Sequence, residues 1–140
     1  MARRKRREAD MSGTELKIDG VAQVALPVED LGRAHAFYRD VLGLTSLFEV
    51  PGMAFLMAGG VRLLLGQEPD PDKRRRCSIL YFRVPDAAEA EARLRAHGVE
   101  IVGPAHLVAR MPDHELWIGF FRDSEGNTMA LLSEQRPSSA

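Results

Sequence analysis

Two stretches of the chain repeat the same order of hydrophobic and polar positions. Val28, Glu29 and Asp30 close one apolar run, and Val84, Pro85 and Asp86 close another 56 positions later. A helical pattern follows each. In the first, Asp30 stands at an N-cap position, Leu31, Ala34, Tyr38, Val41 and Leu42 keep helical spacing, and Gly43 marks the stop. In the second, Asp86 and Glu89 form a capping-box pattern, Ala87, Ala90 and Leu94 make the inner stripe, and Gly98 ends it. Strands are predicted before each helix, at 21–28 and 78–84. Shorter ones follow, at 47–50, 54–58 and 61–66 in the first copy and at 100–102, 115–122 and 128–133 in the second. The repeated unit is strand, helix and three strands, and the fold class is α+β.

Within the strands, alternate positions separate two kinds of surface. Val24, Leu26, Leu63, Leu65, Leu80, Phe82, Val84, Met129 and Leu131 are apolar and suit a face packed under the helices. Gln23, Ala25, Arg62, Leu64, Ile79, Tyr81, Arg83, Thr128, Ala130 and Leu132 mix greasy and hydrogen-bonding groups. That second set fits either the lining of an organic-ligand pocket or the wet outer face of an ordinary antiparallel sheet.

Composition narrows the function classes. With 140 residues, 45% of them hydrophobic, the chain fits one domain with a sizeable core. Nineteen Lys and Arg against 20 Asp and Glu give a net charge of −1, so nucleic acid and acidic membranes are not expected partners. Residues 1–10 carry five positive and two negative charges, which leaves the rest of the chain at −4; residues 1–17 are expected to be a basic, disordered tail and 135–140 a flexible end. A second basic run, 73–76, reads as a charged loop. The lone Cys77 suits a reducing cytoplasm and is expected as a small apolar residue at a strand start. No apolar run reaches the roughly 20 residues of a membrane helix. Trp117, Phe120 and Phe121 share one strand and are expected in the core, unless parity turns one of them to the second, mixed face; His35 and His97 are expected to face solvent or cap their helices.

The wording GVAQVALPVEDLGRAHAFYRDVLGL and FFRDSEGNTMALL, at 20–44 and 120–132, resembles the vicinal oxygen chelate superfamily of glyoxalases, bleomycin-resistance proteins and extradiol dioxygenases. The resemblance covers 18–134 and implies two βαβββ modules, 18–68 and 77–134. Their curved, barrel-like mixed sheet would form a cup around a small-molecule ligand, with the helices outside. It also implies a homodimer. Members resembling glyoxalase I hold a metal at four strand positions, which here are Gln23, Leu64, Ile79 and Ala130. Only Gln23 carries a donor, and a divalent cation needs about four. No metal and no cofactor are therefore expected.

Another set of donors, His106, His114 and Glu115, depends on the loop between them. If Pro112 and Asp113 form a two-residue hairpin turn, Arg110 pairs with Glu115 and His106 lies about 17 Å along the ribbon, out of reach. An irregular loop would let them converge. Two functions fit. The first is metal-independent capture of an amphipathic molecule, similar to bleomycin-resistance proteins, with Gln23, Arg62, Tyr81, Arg83 and Thr128 fixing its polar groups. The second is a glyoxalase-like lyase, isomerase or epimerase, or a dioxygenase-related enzyme with a non-standard site. There Arg62 or Arg83 would stabilise an oxyanion and His114 or Glu115 would move a proton.

Overall fold

A computed structural model describes residues 16–18, 20–75 and 78–137. The basic run at 3–7, Cys77 and residues 138–140 lie outside the described residues. The first half contains strand β1 (Gln23–Val28), helix α1 (Leu31–Ala36) running into a π-helical turn (Phe37–Val41), and strands β2 (Thr45–Val50), β3 (Met53–Ala58) and β4 (Val61–Gln67). A short helix, α2 (Pro71–Arg74), connects to the second half. That half holds β5 (Tyr81–Arg83), α3 (Ala87–Ala96), β6 (Ile101–Arg110), β7 (Glu115–Arg122) and β8 (Thr128–Gln135).

The halves repeat one topology. The first sheet has the order β1-β4-β3-β2 and the second β5-β8-β7-β6. In each, the strand before the long connection pairs parallel with the last strand, while the remaining neighbours are antiparallel. The two four-stranded sheets are not closed into a barrel.

Local chemistry sets the helix ends where the sequence placed them. The Asp30 side chain accepts from Arg33 N at 3.0 Å, and the Asp86 side chain accepts from Glu89 N at 3.1 Å. The reciprocal half of the second capping box is absent from the hydrogen bonds of this end, because the Glu89 carboxylate takes Arg93 Nη2 at 2.9 Å instead. Gly43 (φ +77°) and Gly98 (φ +76°) supply the left-handed residues that end the two helices.

Several elements differ from the sequence expectation. The last turns of the first helix widen into the π-helical turn, with Leu42 N donating to Phe37 O and Leu44 N to Tyr38 O, both at 3.0 Å. The expected 73–76 loop is in part the helix α2, because Pro71 presets the first turn and Asp70 caps it through Asp72 N at 3.0 Å. Strand β5 keeps only three of the seven expected residues, and β6 grows to ten, carrying register shifts along its pairing with β7. His35 is not solvent-facing. It is buried, with Nε2 2.9 Å from Ser46 Oγ and Nδ1 3.4 Å from Glu49 Oε1, because the last turn of α1 lies against the edge strand β2. His97 is the exposed C-cap of α3, as expected.

One core serves both halves. Leu26, Val28, Tyr38, Leu56, Leu63 and Leu65 from the first join Leu94, Phe121, Met129 and Leu131 from the second, each no more than 5% exposed. The helix-facing parity of β1, β4 and β8 is thus as the alternation required. A polar latch crosses the same junction. Tyr38 Oη donates to Asp123 Oδ2 at 2.7 Å in a buried contact, and Arg33 and Glu29 N both reach the Glu125 carboxylate. Asp123 also folds its own turn, accepting Glu125 N at 2.9 Å and Asn127 N at 2.8 Å.

Candidate ligand-binding site

The faces turned away from the helices carry most of the expected site residues, and pairing register sorts them into rows. On the first sheet, Gln23 pairs with Arg62, which pairs with Met57; Ala25, Leu64, Phe55 and Phe48 form the next row; Pro27, Gly66, Met53 and Val50 form the third. Gln23, Arg62 and Leu64 are therefore together. Arg62 Nε donates to Gln23 Oε1 at 2.7 Å, and the guanidinium carbon sits 5.8 Å from the Phe55 ring centroid, within cation–π range. Phe55 stacks on Phe48 at 4.4 Å with 22° between the ring planes. Phe48 is half exposed. The middle row is thus an aromatic and aliphatic shelf with a guanidinium along one side.

On the second sheet, Tyr81 pairs with Ala130 and Phe120 with Ala130, and the two rings meet edge to face at 6.0 Å. Ala130, which pairs with both, has no exposed surface. Tyr81 and Ile79 are exposed. Two polar groups of this face are engaged: Arg83 Nη2 lies 3.6 Å from Glu134 Oε1, and Thr128 Oγ1 accepts from Arg122 Nη1 at 3.2 Å.

His114 and Glu115 occupy a different place. Met111 N donates to His114 O at 2.8 Å, so Pro112 and Asp113 do form a two-residue turn, and Arg110 pairs with Glu115. His106 pairs with Ile118, far up the ribbon, and its Nδ1 lies 3.1 Å from Pro104 O. The three donors do not converge, and among the described residues no three His, Cys, Asp or Glu side chains form a metal-ligating group. The Glu115 carboxylate is held by Arg110 Nε at 3.3 Å and Trp117 Nε1 at 3.3 Å. His114 stands between Asp113 Oδ1 at 2.8 Å and Glu134 Oε2 at 3.4 Å. Both residues line a pocket of about 290 Å³, with Met111, Pro112, Gln135 and Arg136 among its other walls. The sequence reading did not include this pocket, which requires the end of β8 to lie beside the β6–β7 turn.

The hydrogen bond to His114 holds the Asp113 carboxyl below the usual carboxylate range. Such a group contributes stability above its unfolded pKa that is lost as the pH falls through the lower folded value. Carboxyl NMR titration should show the Asp113 midpoint moving upward in His114→Ala; an unmoved midpoint would show that the contact does not form in solution.

The Glyoxalase/Bleomycin resistance protein/Dioxygenase superfamily model matches residues 20–131. The chain belongs to this superfamily. No curated protein matches its sequence. Among solved structures, it is similar to TnmS3, an antibiotic binding protein from Streptomyces sp. CB03234, at 25% identity and a TM-score of 0.67, covering 86% of this chain and 100% of that one. It is also similar to a lactoylglutathione lyase from Agrobacterium tumefaciens, at 25% identity and a TM-score of 0.64, covering 84% and 96%. The virulence protein STM3117 from Salmonella typhimurium shares the fold at 21% identity and a TM-score of 0.68, covering 84% and 98%.

The metal site that the resemblance implies does not fit these residues. Leu64, Ile79 and Ala130 carry no side-chain donor, and the amide oxygen of Gln23 already accepts from a guanidinium. A permanent positive charge at 2.7 Å from the one donor opposes a second cation there. Among the described residues, no helix is long and apolar enough to cross a membrane.

Proposed function

We propose that this superfamily member captures a small amphipathic organic molecule on the unpacked sheet faces, without a metal ion and without turning it over. The observation that carries this reading is the Arg62 to Gln23 hydrogen bond at 2.7 Å beside the Phe48–Phe55 stack. At the place where the resemblance implies a chelated metal, the chain puts a guanidinium and an apolar shelf. Such a surface recognises a ligand by apolar contact and a few hydrogen bonds. The likeness to an antibiotic binding protein over nearly the whole chain supports binding as the task. His114 and Glu115, the candidate proton carriers, are engaged with neighbouring charges at the other end of the second sheet.

The test is calorimetric titration of the purified protein with a panel of hydrophobic antibiotics, followed by analysis of the recovered ligand. Saturable binding with unchanged ligand is expected. Leu64→Asp, which places a charge in the middle row, should weaken that binding at least tenfold. Turnover of the hemithioacetal of methylglyoxal and glutathione, or binding that is indifferent to Leu64→Asp, overturns the proposal.

A further inference from the structure

Arg62 differs from every other described arginine. Arg33, Arg39, Arg74, Arg75, Arg83, Arg93, Arg95, Arg110, Arg122 and Arg136 each face a carboxylate of this chain. Arg62 has none among the described residues; its partners are the neutral amide of Gln23 and the face of Phe55. The contrast is sharper because the chain beyond residue 10 carries a net charge of −4, so carboxylates are plentiful.

The orientation of this cation is fixed from two sides. Gln23 takes the Nε–H, which leaves the terminal Nη groups without an acceptor among the described residues. A guanidinium edge of this kind matches the two oxygens of a carboxylate in a bidentate pair. Beside it, Phe55 and Phe48 lie nearly parallel, and Phe48 is 49% exposed, so the pair offers a flat ring apolar surface to pack against. Met57 neighbours Arg62 on β3, and Met53 lies one row beyond Phe55, giving the shelf adaptable edges.

We propose that the first sheet selects a flat aromatic carboxylate: the carboxylate pairs with Arg62, and the ring lies on Phe48 and Phe55. This rests on the binding reading above and adds the charge and shape of the ligand. The positive charge that no described carboxylate compensates is then compensated by the bound molecule, which the acidic body of the protein would otherwise repel.

The probes are 2-naphthoate and its neutral analogue 2-naphthamide, titrated by calorimetry into the full chain and into three variants. The wild type should bind naphthoate at least tenfold more tightly than naphthamide, and added salt should narrow the gap. Arg62→Gln should abolish the preference while leaving naphthamide binding in place; Arg62→Lys, which keeps the charge and loses the fork, should restore only part of it. Phe48→Ala should weaken both probes. Equal affinities in the wild type, or a preference that survives Arg62→Gln, overturns the carboxylate assignment. Equal binding that still depends on Phe48 leaves the broader binding reading standing, and binding of neither probe overturns both. Arg62 and Phe48 are exposed, and circular dichroism confirms that each variant is folded before it is titrated.

Discussion

Asp123→Ala is expected to lower the unfolding free energy by about 3–5 kcal/mol, because one carboxylate holds several donors at the junction of the two halves. The substitution leaves the Tyr38 hydroxyl without its 2.7 Å acceptor inside the core. It also releases Glu125 N and Asn127 N, on which the turn between β7 and β8 depends. Glu125 then loses the position from which it reaches Arg33 and Glu29 N. Tyr38→Phe removes the bond to Asp123 and keeps the ring in the core, so it should cost about 1–2 kcal/mol. Urea unfolding of both variants and of the double variant gives the coupling directly. Strict additivity would show that the buried contact does not form, and an Asp123→Ala loss under about 1 kcal/mol would show that the turn holds without its carboxylate.

Phe121→Ala is expected to cost a similar amount, about 3–5 kcal/mol, through a different cause. Phe121 has no exposed surface and belongs to the cluster that mixes residues of both halves. Its ring lies 6.5 Å from that of Phe82, which in turn lies 6.4 Å from that of Tyr38. Emptying this position opens a cavity where the first helix meets the second sheet. Because the core is shared, the variant should still unfold in one transition at a lower denaturant midpoint. A curve in which the first half keeps its wild-type midpoint while the second unfolds early would overturn the shared core.

The alternation of apolar residues in β1, β4 and β8 placed Leu26, Leu63, Leu65, Met129 and Leu131 on the helix-packed face, where all are found buried. Asp30, Asp86, Gly43 and Gly98 marked helix ends because capping depends on one residue and its own backbone. The two-residue turn at Pro112 and Asp113 fixed the Arg110 to Glu115 pairing for the same reason, since register follows from loop length. His35 was misplaced because its partners, Ser46 and Glu49, reach it only once the edge strand returns beside the helix. Parity and the resemblance put Ala130 on the ligand-side face, and neither reports that its side chain has no exposed surface.

The same division runs through the candidate site. Gln23, Arg62 and Leu64 were legible as neighbours on one face, whereas the Phe48–Phe55 stack was not, because a register shift between Ser46 and Phe48 decides which side Phe48 takes. By itself, the sequence determined the repeated topology, the helix caps, the core face of the strands and the absence of donors at Leu64, Ile79 and Ala130; each depends on the identity of a residue or on spacing along the chain. The tertiary structure alone decided that Arg62 lies on a neutral amide and an aromatic ring, and that Tyr38 meets Asp123 across the halves. Those contacts join residues far apart in the chain, and their geometry exists only after two sheets and a shared core have set the distances.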